Sequence, residues 1–77
     1  MNTQKIKILL AAIDKGSFTR AGQALGYTQS YLTQIMKAFE DEVGFPLLVK
    51  TNRGVGPTPE AKALLPAMRR LVESEEQ

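Results

Sequence analysis

Residues 16–44, GSFTRAGQALGYTQSYLTQIMKAFEDEVG, decide the fold of this chain. A short helical stretch from Thr19 to Leu25 meets Gly26, and after a two-residue break a longer helical stretch opens at Thr28. In the longer stretch Leu32, Ile35, Phe39 and Val43 recur at spacings of 3, 4 and 4, which predicts one buried face, and Gly44 ends it. Its first two turns carry Gln29, Ser30, Tyr31, Thr33 and Gln34 instead. These are mid-length side chains that donate or accept hydrogen bonds. Two helices joined by a tight glycine-containing turn, the second with amides and hydroxyls at its exposed N-terminal end, form the helix-turn-helix pattern. Its second helix enters the major groove of DNA.

Upstream, Ile6, Leu9, Leu10 and Ile13 form the i, i+3, i+4, i+7 stripe of an amphipathic helix, and Gly16 is suited to stop it. Ser17 or Thr19 is expected to cap the next helix, and Thr28 the one after. Small residues at Ala21 and Gly22 allow a neighbouring helix to approach closely. Downstream, Phe45-Pro46 breaks the helical pattern, and Leu47-Leu48-Val49 predicts a short strand. Lys50-Thr51-Asn52-Arg53-Gly54 reads as a polar turn, with a weak return strand opening at Val55 before Gly56 and Pro57. Thr58-Pro59-Glu60 combines a hydroxyl N-cap, proline at the first helical position and an acid in the first turn. The helix it starts presents Ala61, Leu64, Leu65, Met68, Leu71 and Val72, a wide apolar stripe for so small a domain. Pro66 lies inside it, where an interior proline costs about 3 kcal/mol, so the helix is expected to kink there or to be held by packing. The expected fold is mainly α, a winged helix-turn-helix of order α-α-α-β-β-α with a C-terminal linker or dimerisation helix.

Composition narrows the function. The 77 residues contain no cysteine and no histidine, which removes disulfides, thiolate or imidazole metal sites, Ser-His and Cys-His nucleophile pairs and an imidazole base. Glu40, Asp41 and Glu42 are consecutive and fan around a helix rather than converge, and read as a solvated face. An enzyme is not expected, nor is a cofactor or a metal. Net charge is +2, but the last seven residues hold three Glu and no base, so residues 1–70 carry ten Lys or Arg against five acids. A basic body suits a polyanionic partner. No apolar run approaches the roughly 20 residues of a membrane span, and Ile8 to Ile13 lacks the features of a secretory signal, so a cytoplasmic location is expected.

With these residues in place, GSFTRAGQALGYTQSYLTQIMKAFEDEVGFPLLVKTNRGVGPT resembles the DNA-binding domain of LysR-type transcriptional regulators. Gly16, Ser17, Phe18, Ala21, Leu25, Thr28, Gln29, Leu32, Thr33, Ile35, Glu40, Gly44, Leu47, Thr58 and Pro59 carry the likeness, which runs in register over nearly the whole chain. Departures are Gly22 for an alanine, Phe39 for a leucine, Leu48 for a phenylalanine and Lys50 for an arginine. Ser30 and Tyr31 stand where proline and a small residue are common, and Glu60-Ala61-Lys62 replaces a frequent Ala-Gly. The core exchanges are near-conservative, whereas Ser30, Tyr31 and Lys50 bear on which sequence is read.

The resemblance implies residues 1–58 as a winged helix-turn-helix domain and 59–77 as a linker and dimerisation helix. It implies double-stranded DNA as partner, with a recognition helix at about 28–41 in the major groove and a wing at about 47–57 at the minor groove. The chain reads as an isolated DNA-binding fragment or a naturally short relative, since nothing in it encodes the family's effector-binding lobes. On the recognition helix Gln29, Ser30, Thr33 and Gln34 are the candidates for base contact, Tyr31 for a thymine methyl or a phosphate, Lys37 for a phosphate, and the capping residue Thr28 for a DNA contact. Tyr31 has the competing role of packing on the second helix. Ser17, Thr19 and Arg20 are phosphate candidates at a helix N-terminus. In the wing, Arg53 is placed for minor-groove insertion and Lys50, Thr51 and Asn52 for the DNA backbone. A homodimer through Ala61, Leu64, Leu65, Met68, Leu71 and Val72 implies a pseudo-palindromic operator. The alternative is an α-helical protein-interaction module with its functional surface on the last helix and no DNA binding.

Overall fold

The computed structural model describes residues 3–76, Glu76 by its backbone alone. Met1, Asn2 and Gln77, the outermost residues of the two expected segments, lie outside the described residues. Helices α1 (Gln4–Lys15), α2 (Phe18–Leu25) and α3 (Gln29–Val43) are followed by strands β1 (Leu48–Thr51) and β2 (Gly54–Pro57) and by helix α4 (Pro59–Glu76). The order α-α-α-β-β-α is the expected one.

Helices α2, α3 and α4 each start on a hydroxyl cap that the sequence places, whereas Thr3 before α1 makes no side-chain cap bond. Ser17 Oγ accepts from Arg20 N at 3.2 Å, Thr28 Oγ1 from Tyr31 N at 3.1 Å, and Thr58 Oγ1 from Ala61 N at 3.2 Å. These caps satisfy backbone donors that lack an intrahelical partner. Ser17 rather than Thr19 caps α2, which leaves the Thr19 hydroxyl for another partner. The Thr58 hydroxyl also donates to Pro46 O at 2.8 Å, tying the start of α4 to the segment before the wing.

The core is built mainly from α1, where Ile8, Leu9 and Ala12 are fully buried. Ala21, Leu32, Leu47 and Ala61, also fully buried, close round it from the remaining segments. The α3 face turns by one residue from the expected one. Leu32, Met36 and Phe39 are buried, while Ile35 and Val43 are half-buried. Met36 follows Leu32 by one turn and lies under α3. Ile35 faces α1 near Gln4 and Lys5. In the gap-free register from Thr33 to Phe39, Met36 also takes the family position assigned above to Ile35.

The turn between α2 and α3 is very tight. Gly26 N and Tyr27 N both donate to Gly22 O, at 2.8 and 2.9 Å. A Cβ on Gly22 would stand 2.5 Å from Tyr27 O, so glycine in place of the family's alanine permits this close return.

The wing differs from expectation in extent. Lys50 and Thr51 belong to β1 rather than to the turn, leaving Asn52 and Arg53 as the tip. β2 begins at Gly54, and the register pairs Leu48 with Pro57 and Thr51 with Gly54. Two contacts outside the hairpin stabilise this weak strand sequence. Val55 N donates to Gly16 O at 3.1 Å, and Thr58 N donates to Leu47 O at 3.1 Å. Gly54 lies so near the α1–α2 turn that a Cβ there would stand 2.1 Å from Gly16 O.

Glu40 is a correction to the reading of residues 40–42 as a solvated face. Its Oε2 accepts from Leu47 N at 2.6 Å and from Leu48 N at 3.2 Å, joining α3 to the start of the wing. Glu42 is also engaged, by Lys5 Nζ at 2.8 and 3.0 Å.

Helix α4 continues through Pro66 and lies on α1. Arg69 reaches Asp14 through two hydrogen bonds of 2.8 and 3.2 Å, Lys7 lies 3.4 Å from Glu75, and Thr3 donates to Glu75. This packing divides the apolar stripe expected to serve dimerisation. Ala61 and Met68 are buried in the protomer's own core, and Leu65 and Val72 pack half-buried against it. Leu64 and Leu71, one spacing of seven apart, remain exposed at 37% and 38%.

Candidate nucleic-acid interface

Two helix N-termini converge on one side of the molecule, α2 with Ser17, Thr19 and Arg20 and α3 with Gln29 and Ser30. A direct bond marks the junction: the Thr19 hydroxyl donates to Gln29 Oε1 at 3.1 Å. Helix N-termini carry the positive end of the backbone dipole and unpaired N–H groups, so a doubled terminus favours an anion.

An open cleft of about 610 Å³ extends from this junction to the wing. Ser17, Thr19, Arg20 and Gln29 form one wall, and Lys50, Thr51 and Arg53 the other. A second concavity of about 390 Å³ runs along the outer face of α3 over Gln29, Ser30, Thr33, Gln34 and Lys37. Gln29 borders both, so the two form one continuous surface. Asn52 stands exposed at the hairpin tip beside Arg53.

Two candidates are placed apart from this surface. Thr28 lines neither concavity, and its hydroxyl accepts from Tyr31 N in the cap of α3 as the Ser17 hydroxyl does from Arg20 N in the cap of α2. Tyr31 lies on the other flank of α3, its ring 4.9 Å from that of Tyr27 and inclined by 47°, a favourable tilted aromatic contact. Gln4 donates to the Tyr27 hydroxyl, so this pair connects the α2–α3 turn to α1.

Lys15 was missed by the sequence reading and also lines the cleft. Its signal was its place in the last turn of α1, directly before the Gly16-Ser17 segment that forms the cleft floor. Glu40 was missed as a residue that holds the wing; sequence alone does not show which backbone donors a helical carboxylate will meet.

Charge divides the two sides of the molecule. No acidic side chain lines either concavity. Among the described residues the ion pairs are Lys5–Glu42, Lys7–Glu75 and Arg69–Asp14, and none involves Lys15, Arg20, Lys37, Lys50 or Arg53. Lys62 and Arg70 on α4 also stand outside those pairs. Away from the cleft, the hydrogen bonds from Arg69 hold the Asp14 carboxyl below the usual aspartate range. Glu75 is lowered too, first by the Thr3 hydroxyl and then by Lys7. Like-signed side chains left uncompensated on a concave face focus a positive potential there.

Residues 3–62 match the model of the bacterial regulatory helix-turn-helix protein, lysR family. The chain belongs to this family. It is 35% identical to the nitrogen assimilation regulatory protein nac of Klebsiella aerogenes over 77 residues, all of this chain and 25% of that protein. The chain thus spans about a quarter of the length of such curated relatives. Among solved structures it superposes on the DNA-binding domain of BenM in complex with benA site 1 DNA with a TM-score of 0.91 and 27% identity, covering 100% of this chain and 86% of that one. The CbnR DNA-binding domain in its DNA complex gives a TM-score of 0.88 and 29% identity, covering 99% of this chain and 87% of that one. The chain therefore has the winged helix-turn-helix fold of LysR-family DNA-binding domains, and its named relatives are transcriptional regulators. Among the described residues no helix is long and apolar enough to cross a membrane.

Proposed function

We propose that this chain is the DNA-binding part of a cytoplasmic LysR-type transcriptional regulator and binds double-stranded DNA in a sequence-specific manner. The first two turns of α3 enter the major groove, and the β1–β2 wing lies at the minor groove. The observation that carries this reading is the pair of adjoining concavities from Lys50 and Arg53 to Gln34 and Lys37, lined by amides, hydroxyls and cations and by no acid. Glu40, in the hollow between Lys37 and Lys50, is taken up by Leu47 N and Leu48 N. Lys15, Arg20, Lys37 and Lys50 contact phosphates, and Arg53 at the wing tip enters the minor groove, as side chains placed on both strands of a duplex would.

The chain works as a homodimer through α4 on a pseudo-palindromic operator. Leu64 and Leu71 are the free apolar positions of that helix, and Leu65 and Val72 border them. Like-sided leucines seven residues apart suit a helix-to-helix seam.

Selection of bound sequences from a random duplex pool tests the reading, with a salt titration on the enriched site. An enriched, two-fold related sequence whose affinity falls steeply with salt is expected. A pool that enriches no sequence, or binding insensitive to salt, would contradict it.

A further inference from the structure

The contact between Thr19 and Gln29 bears on which bases the recognition helix accepts. Gln29 is the first residue of α3, Thr19 the second of α2, and the Thr19 hydroxyl donates to Gln29 Oε1 at 3.1 Å. Ser17 supplies the α2 cap, so the Thr19 hydroxyl is not otherwise committed there. A free glutamine offers both an oxygen acceptor and an NH₂ donor, the combination that pairs bidentately with adenine. Here the oxygen is turned toward the N-terminus of α2, on the same cleft wall as Arg20. The positive end of that helix dipole and the guanidinium favour the amide oxygen in that place over the NH₂ group. The outward-facing group is then Nε2, a donor.

We infer that Thr19 is a positioning residue that fixes the Gln29 amide as a donor-only probe, so that Gln29 selects a base presenting an acceptor without a neighbouring donor in the major groove. Guanine, whose N7 and O6 acceptors lie side by side, meets that requirement, whereas thymine O4 lies beside the N6 amine of its paired adenine. Adenine, whose N6 amine faces the probe beside N7, and cytosine, which offers only an amine, do not meet it either. The inference rests on the DNA-binding reading above and adds the polarity of one contact. It also assigns Thr19 a role beyond phosphate binding.

The test is selection from a random duplex pool by the full chain and by Gln29→Ala, Thr19→Val, Thr19→Ser and Gln29→Glu. The base position read by Gln29 is the one whose preference is lost in Gln29→Ala. At that position the unaltered chain is expected to favour guanine over adenine by about fivefold, the scale of one net hydrogen bond. Thr19→Val frees the amide and is expected to admit adenine there, with other positions and the salt dependence unchanged. Thr19→Ser keeps the hydroxyl and restores the original preference. Gln29→Glu leaves an acceptor facing outward and moves the preference to cytosine. Adenine favoured by the unaltered chain, or a Thr19→Val profile identical to it, overturns the inference while leaving DNA binding intact. A pool that enriches nothing with any of the proteins overturns both.

Discussion

The face formed by α2, the start of α3 and the wing differs sharply from the seam between α1 and α4, although both are rich in cations. On the seam, Lys7 and Arg69 have carboxylate partners, and those pairs tie one helix to another. On the cleft face, Lys15, Arg20, Lys37, Lys50 and Arg53 have none among the described residues, and the Glu40 carboxylate at the root of the wing is turned to backbone N–H groups instead. The same residue types therefore do different work. On the seam, charge orients a helix. On the cleft, the scaffold is held by hydroxyls, backbone bonds and Glu40, which leaves the cations for an external anion. The cost is mutual repulsion, kept small because the side chains are exposed and screened.

The largest expected effect comes from breaking the support common to both regions. Leu32 is fully buried beneath α3 and faces Gly22 in α2. Leu32→Ala should lower stability by about 3 kcal/mol, as read by denaturant unfolding, because the side chain's burial is lost and a cavity remains. A loss below about 1 kcal/mol would mean that the α2–α3 contact collapses around the gap and is less rigid than described.

Glu40→Ala separates the two regions more cleanly. It frees Leu47 N and Leu48 N at the root of the wing, and a stability loss of about 1–2 kcal/mol is expected for a charged acceptor with two backbone donors. Duplex affinity should fall further than stability alone explains, because the wing cations lose their placement. Glu40→Gln, which keeps one acceptor oxygen, should lie between. Unaltered affinity in Glu40→Ala would show that the wing needs no tie to α3.

How far the sequence revealed each region follows from the range of the interactions. Caps at Ser17, Thr28 and Thr58, and the end of α2 at Gly26, are local, and their residues announce them within four positions. The polar leading edge of α3 was legible for the same reason. What escaped depended on distant partners. β2 exists as a full strand because Gly16 O and the register with β1 hold it, and nothing in Gly54-Val55-Gly56-Pro57 says so. Met36 replaces Ile35 beneath α3 because the direction of the core is set by α1, and periodicity alone accommodates either residue. For Tyr31 packing was legible as the competing role, but not its partner, Tyr27 across the turn rather than α2. The α4 stripe was legible as wider than one small domain needs, but the sequence did not show that Ala61 and Met68 are the members buried in the protomer's own core.

The smallest expected effect lies on the seam. Asp14 is held below the usual aspartate range by Arg69, so its contribution is fully present above the unfolded value of about 4 and is lost as pH falls through the lower folded value. Asp14→Asn should therefore lower Tm by a few degrees at most near neutral pH and make no difference in strong acid. A difference that persists at low pH would point to a role other than pairing with Arg69.

On the proposed reading, cations on the cleft face are kept for a phosphate backbone, whereas those on the seam are not. That difference is tested most directly by the salt dependence of duplex binding for the unaltered chain, for Lys15→Ala with Lys50→Ala, and for Lys7→Ala with Arg69→Ala. Each phosphate contact contributes about 0.9 to the slope of log affinity against log salt. The cleft variant should lose about two such increments relative to the unaltered chain, and the seam variant should keep its slope. Equal slopes for the cleft variant and the unaltered chain, or a loss in the seam variant as large as in the cleft variant, would contradict the account.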